Sequence, residues 1–154
     1  MKKRIILAFM AITAIAYGQD DAPADPYIEL LRSDIRAGKV ELITQVMEFT
    51  EKQSSAFWPL HREYELALSK INDAKVKLIK EYVQVWDKMT NQKAGEMVKT
   101  MFDLQEKRLK LKKSYYKKFE KALSSIIAAK FIQLENQINT IIDMQIAQEY
   151  PLIE

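Results

Sequence analysis

The chain of 154 residues contains no cysteine and one histidine, and only three glycines and four prolines. Without cysteine there can be no disulfide, thiol catalysis or thiolate metal site, so packing alone must hold the fold. A metal site needs three or four ligands. His61 has Glu65 four residues later, but the sequence favours a surface or half-buried imidazole over a metal ligand. We therefore predict no metal and no cofactor.

Catalytic motifs are missing as well. The sequence has no glycine-rich phosphate loop and no Gly-x-Ser-x-Gly nucleophile elbow. It shows no nucleophile–base pair and no constellation of carboxylates that would define an active site. We therefore predict a binding protein and not an enzyme.

The N-terminal segment has the three parts of a secretory signal peptide. The basic Lys2-Lys3-Arg4 precedes an uncharged, mostly apolar run over residues 5–16, and Ala16-Tyr17-Gly18 offers small residues to a signal peptidase. A transmembrane anchor is the alternative, but such a short run spans roughly 18 Å of a hydrocarbon core about 30 Å thick. We expect residues 1–18 to be cleaved near Gly18, export to the periplasm, and no stable membrane insertion.

Loss of this segment changes the charge balance. The whole chain has 24 basic and 21 acidic residues, a net charge of +3. Three basic residues and no acidic residue lie in residues 1–18, which leaves 21 of each sign and a net charge of zero. A nucleic-acid partner is therefore not expected.

The rest of the chain is predicted to be all-α. Residues 19–25 are polar and acidic and are expected to form a disordered leader, followed by one helical domain over residues 26–150. So few glycines and prolines favour a small number of long helices. The helical pattern begins at Pro26, and Gly38 is a candidate break, so we expect four or five helices.

Three helix N-caps divide the helical pattern into segments. Thr50-Glu51-Lys52-Gln53 is a capping box, in which the side chains of Thr50 and Gln53 each accept from the other residue's backbone N–H. Thr90 and Ser124 are the other caps. Apolar residues recur every three or four positions between them, which predicts two central helices of about 33 to 37 residues. One small chain rarely buries the whole apolar stripe of helices this long, which favours a dimer.

Eight basic residues lie between Lys107 and Lys121, with Tyr115, Tyr116 and Phe119 interleaved among them. One interpretation is a surface for acidic or unfolded segments of other proteins. The other, which the pattern favours, is a solvated helix face whose aromatic side chains point to the core. The two tryptophans lie next to residues of the apolar stripes. Packing in the core is the usual explanation for such aromatic side chains, and a position in the lining of a groove is the alternative. The candidate client surface consists of Trp58, Trp86, Lys110, Lys113, Tyr116 and Lys117.

Two motifs resemble the Leu-Thr-x-x-Gln (LTxxQ) repeat of the Spy/CpxP-like periplasmic family. The first is Phe49-Thr50-Glu51-Lys52-Gln53. The second, Leu123-Ser124-Ser125-Ile126-Ile127, keeps the leucine and a hydroxyl cap but has Ile127 in place of glutamine. Ala128-Ala129-Lys130-Phe131 matches the usual continuation, and the resemblance covers roughly residues 40–145.

This resemblance implies four helices with a long antiparallel hairpin, and two protomers intertwined in a cradle-like homodimer. Members act as ATP-independent chaperones, as inhibitory partners of envelope-stress sensor kinases, or as metal-responsive sensors that use histidine-rich or sulfur ligands. We expect an exported chaperone or stress-response binding protein that holds partly unfolded clients on an apolar, lysine-rimmed surface. The alternative is a regulatory partner of an envelope sensor without general chaperone activity.

Overall fold

The computed structural model describes the backbone of residues 26–148 and the side chains from Ala37 onward, except those of Gln145 and Gln148. The predicted signal peptide and leader lie outside the described residues. The chain divides between Arg36 and Ala37 into two compact units, and the core lies in the second.

Four α-helices account for most of the described backbone, and no strand occurs within it. The helices are α1 (Pro26–Met47), α2 (Glu51–Val85), α3 (Asn91–Ala122) and α4 (Ser125–Gln148), with a single 3-10 turn (Trp86–Lys88) after α2. The predicted all-α, four-helix fold is therefore confirmed. α1 continues through Gly38, because a helix tolerates an interior glycine at a cost of about 1 kcal/mol, and no fifth helix arises there.

Side chains cap the starts of α2, α3 and α4. Both bonds of the capping box are present, with 3.3 Å from the Gln53 amide to the Thr50 hydroxyl and 3.0 Å from the Thr50 amide to Gln53 Oε1. Thr90 Oγ1 accepts from the Lys93 amide at 3.2 Å, and Ser124 Oγ accepts from the Ile127 amide at 3.3 Å. Each bond satisfies an N–H group that has no partner within its own helix.

α2 and α3 form a long antiparallel hairpin, as expected. The rings of Phe57 and Phe119 lie 5.2 Å apart near one end, and Glu81 pairs with Lys93 near the other. α4 folds back along α3 after a tight turn, so that Lys112 Nζ donates to Asn136 Oδ1 at 2.6 Å.

The core lies where α2, α3 and α4 meet beside the α3–α4 turn. Its centre is a trio of fully buried rings, Phe57, Phe119 and Phe131, whose centroids are 4.9 to 5.2 Å apart. Burial of each such side chain contributes about 1.5 to 3 kcal/mol. The other buried members of this cluster are Ile43, Met47, Tyr64, Leu68, Ala128 and Leu134.

The half of the α2–α3 hairpin that lies farther from the core buries fewer apolar side chains. Met97 is buried there, but Val98 and Met101, which belong to the predicted α3 stripe, are 45% and 39% exposed. Val83 and Phe102 are also exposed, at 49% and 59%. The apolar stripe of α3 is therefore longer than the face that the described part of one chain buries.

Candidate functional site

An open groove runs between α3 and α4 and has a mostly apolar surface. Its volume is about 810 Å³. It is lined by Tyr116, Ala129, Ile132, Gln133, Asn136, Gln137, Thr140 and Ile141. A second pocket of about 490 Å³ shares three of these residues and is also bordered by Leu109, Lys112, Lys113 and Lys117. We call the two together the α3–α4 groove.

Helix periodicity explains the wall that α4 contributes. Ala129, Ile132, Asn136 and Thr140 recur every three or four residues and therefore share one side of α4. Phe131 and Leu134 fall on the other side and enter the core. The same helix thus packs on the hairpin with one face and forms the groove with another.

Tyr116 and three lysines form the α3 wall. The Tyr116 hydroxyl donates to Glu120 Oε1 at 3.0 Å, and this bond raises the pKa of the tyrosine. Burial lowers the pKa of Lys112, whose ammonium group is directed to Asn136. Lys113 and Lys117 are exposed at the edge. The groove therefore has an apolar floor and a positive border.

The structure brings together three of the six predicted client-surface residues, Lys113, Tyr116 and Lys117. Lys110 is exposed and pairs with Glu106 at 2.8 Å, and it does not line the groove. The basic run thus divides between two environments. Phe119 is buried in the core, whereas Tyr116 lines the groove.

The two tryptophans do not line the groove, so the structure does not bring them together with its lysines. Trp58 packs edge-on against Phe57 and His61, with centroids 5.1 and 5.4 Å away. Trp86 lies in the 3-10 turn after α2. About 40 Å of helix separates the two, because each residue advances the helix by 1.5 Å.

A buried polar cluster lies on the other side of α4. Lys39 Nζ is 2.5 Å from Glu65 Oε1 and 2.7 Å from Glu135 Oε2. Glu135 is fully buried and also accepts from the Tyr64 hydroxyl at 3.1 Å and from Asn139 Nδ2 at 3.0 Å. Lys39, Glu65, Glu135, Tyr64 and Asn139, with His61 beside them, are called the buried cluster below.

The charges in this cluster shift each other's pKa values. Burial opposes ionisation of Glu135, but the Lys39 ammonium and the hydrogen bonds outweigh burial and hold the pKa of Glu135 below its ordinary value. Burial, followed by the charge of Glu135, raises the pKa of Tyr64. Glu135 is therefore an ionised acceptor, and Tyr64 is a neutral donor to it.

His61 is 3% exposed, so the expected surface or half-buried position is wrong. Burial and the nearby Lys39 charge lower its pKa from 6.5 to about 4, which leaves a neutral imidazole at pH 7. Its Nε2 lies 3.7 Å from Glu65 Oε1 and has no hydrogen-bond partner among the described residues. Within the same part of the chain, no group of three or more acidic or histidine side chains is arranged to hold a metal ion.

Sequence reasoning missed this cluster because a lysine such as Lys39 is rarely buried unless it is paired. The buried positions of α1 are Lys39, Ile43 and Met47, and Val40 and Val46 beside them are exposed. A signal was available in α4, where Glu135 interrupts an otherwise apolar stripe. A charge on such a face implies a buried partner.

No protein-family model, curated protein or solved structure matches this chain. None of the helices between residues 26 and 148 is both long enough and apolar enough to cross a membrane. The α3–α4 groove and the buried cluster are the features from which a function can be inferred.

Proposed function

We propose that this protein is an exported, ATP-independent chaperone or stress-response binding protein of the Spy/CpxP-like type. It holds partly unfolded polypeptides in the α3–α4 groove. The observation that carries the proposal is a wide, open and mostly apolar groove of about 810 Å³, next to a lysine-bordered pocket. The expected signal peptide at residues 1–18 and the two LTxxQ-like motifs support the compartment and the type of protein.

The groove suits weak and reversible binding. Apolar side chains of a client gain about 25 cal/mol for each Å² that they bury, and Ala129, Ile132 and Ile141 provide the apolar partners. Lys113 and Lys117 attract acidic clients over a longer range, which mainly raises the rate of association. Because the groove is open, a bound client can dissociate directly, and its release requires no nucleotide.

An aggregation assay tests this function. We expect the chain without residues 1–18 to suppress aggregation of a heat-stressed client at a near-stoichiometric ratio. Ile141→Glu places a charge in the groove and should raise the amount of protein needed about tenfold, because the buried contact is lost. Light scattering of the client at several protein ratios measures both effects.

Ile126→Glu is the matched control, since Ile126 is an exposed isoleucine of the same helix that does not line the groove. It should suppress aggregation as well as the wild type does. Equal loss in both variants would show that the groove is not the client site. No suppression by the wild type at about tenfold excess contradicts chaperone activity. Retention of one dominant sensor protein from an envelope extract would then favour the regulatory alternative.

A further inference from the structure

The two walls of the α3–α4 groove have the same spacing along their helices. The residues of α4 that line it, from Ala129 to Ile141, follow one another in steps of three and one, and the α3 residues from Leu109 to Lys117 repeat these steps. Residues at this spacing share one face of a helix over successive turns. Each helix therefore presents a continuous stripe to the groove.

The groove has the length of a bound helix. Between Ala129 and Ile141 the α4 stripe extends about 18 Å along the helix axis, which corresponds to a helix of about 12 residues. Side chains that project in rows from two neighbouring helices leave a channel into which the rows of a third helix fit. The stripes thus suit an occupant that lies along α3 and α4.

Two other classes of occupant suit this groove less well. A small molecule would stay largely exposed in an open groove, whereas small-molecule sites commonly bury at least about 70% of the ligand surface. An extended peptide would turn backbone N–H and C=O groups toward a mostly apolar floor that offers few partners. A helix satisfies these groups internally and presents only its side chains.

The positive border of the groove lacks carboxylate partners. Lys113 and Lys117 make no ion pair or hydrogen bond within the described part of the chain, whereas Lys110 of the same helix pairs with Glu106. None of the residues that line the two pockets is acidic. The two ammonium groups, one helical turn apart, are therefore free to pair with carboxylates of an occupant.

A third cation in the groove has only a neutral partner. Lys112 is partly buried, and its Nζ donates to the side-chain oxygen of Asn136 at 2.6 Å. It makes no ion pair with any other described residue. Because a desolvated cation without an anion is unfavourable, a carboxylate that enters the groove beside Lys112 gains an interaction that the free protein lacks.

We propose that the α3–α4 groove recognises acidic amphipathic helices of about 12 residues, which partly unfolded clients expose or form on binding. The apolar face of the client helix packs on Leu109, Ile132 and Ile141, and carboxylates along one edge pair with Lys113 and Lys117. This inference rests on the proposed function, since it takes the groove as the client site. It adds the conformation of the segment that is held and the spacing of its side chains.

Fluorescent synthetic peptides of about 14 residues test recognition of a helix. The parent peptide has leucines at three- and four-residue spacing with glutamates along one border. A second peptide has prolines at central positions outside the leucine stripe, and a third has the parent composition in scrambled order. We expect the parent to bind the chain used in the aggregation assay about tenfold more tightly than the other two, because only the parent forms a continuous apolar face. Fluorescence anisotropy measures the dissociation constants.

A peptide with lysine in place of every glutamate tests the charge preference. It should bind about tenfold more weakly than the parent, and this difference should disappear in the Lys113→Gln/Lys117→Gln chain. Lys99→Gln/Lys107→Gln is the matched control, because it removes the same charge from exposed positions of α3 that line neither pocket. The control chain should keep the preference.

Two further variants locate the bound peptide. Ile141→Glu should weaken binding of the parent about tenfold, whereas Ile126→Glu outside the groove should not. Equal binding in the two variants overturns the groove as the helix site. A second copy of the chain is the other occupant to test, and a fall of the mass from two chains to one on addition of the parent peptide would show that it fills the groove and overturn the proposal.

The remaining outcomes separate this inference from the proposed function. Equal binding of the parent and proline peptides overturns recognition of a helix, and equal binding of the parent and lysine peptides overturns the acidic preference. Suppression of client aggregation would support the chaperone in both cases. Tight binding of the parent without any suppression would contradict the proposed function and still support the helix site.

Discussion

His61 is held neutral by its neighbours, and this has a consequence for stability. Its buried imidazole stacks on Phe57 at 5.3 Å and is subject to the positive charge of Lys39. Protonation would place a second positive charge beside Lys39 in a region with little water. The free energy cost of this protonation lowers the pKa of His61 to about 4 in the folded chain, from 6.5 for an exposed histidine.

We predict that the folded state loses stability as the pH falls from about 6.5 to about 4. In this range the unfolded chain binds a proton at His61 and the folded chain does not, so acid favours unfolding. The full effect is on the order of 3 kcal/mol. Urea unfolding at pH 7, pH 5 and pH 4 measures it, and His61→Gln should remove most of the pH-dependence in this window.

Lys70→Gln is the control, because Lys70 is an exposed basic residue of α2 that is not among the charges acting on His61. Glu135 contributes in the same direction at lower pH. Its pKa is lowered in the folded chain, so its stabilisation is present above the ordinary value of 4.5 and is lost as the pH falls through the folded value. An unchanged pH-dependence in His61→Gln would assign the acid sensitivity to the carboxylates instead.

The helices are defined by local chemistry at their ends. α2 begins with two reciprocal bonds between Thr50 and Gln53, while α3 and α4 each begin with one hydroxyl cap. These contacts join residues three apart in the sequence, so they can form as soon as the first turn forms. For this reason the starts of these helices can be predicted from short motifs without knowledge of the tertiary structure.

We predict that Thr50→Ala lowers the free energy of unfolding by about 1 kcal/mol, because the Gln53 amide loses its acceptor and the capping box is broken. Thr50→Ser keeps the hydroxyl and should recover most of the loss. Urea unfolding at pH 7 measures the series.

Thr100→Ala is the matched control, since Thr100 is an exposed threonine within α3 whose hydroxyl bonds to the Glu96 carbonyl of the same helix. Alanine has the higher helix propensity, so this change should be neutral or slightly stabilising. A loss in Thr100→Ala as large as in Thr50→Ala would mean that capping is not the cause.

Among the described residues, large apolar side chains are exposed on the α2–α3 hairpin. Val83, Val98, Met101 and Phe102 are exposed on the far half of the hairpin, away from the aromatic core. Val98, Met101 and Phe102 are three or four residues apart and share one side of α3, and an exposed apolar face commonly marks an interface. The dimer expected from the length of the α2 and α3 stripes remains a prediction, and this face is where we place it.

We predict that light scattering of the chain without residues 1–18 gives the mass of two chains. Phe102→Glu puts a charge on the exposed face and should give the mass of one chain, because a buried unpaired charge disfavours association. Leu66→Glu is the control, since Leu66 is 67% exposed on α2 near the core end of the hairpin. A wild-type mass of one chain contradicts the dimer.

The sequence by itself determined the all-α class, three of the helix starts and the apolar stripes, and it narrowed the number of helices to four or five, because capping bonds and helix periodicity act within four residues. The tertiary structure decided which face of α1 is buried, the burial of His61 and the division of the basic run. Lys39 is buried because Glu65 and Glu135 lie across from it, and the Tyr64–Glu135 hydrogen bond joins residues 71 apart. Such pairings depend on how α1, α2 and α4 pack, which no local pattern specifies.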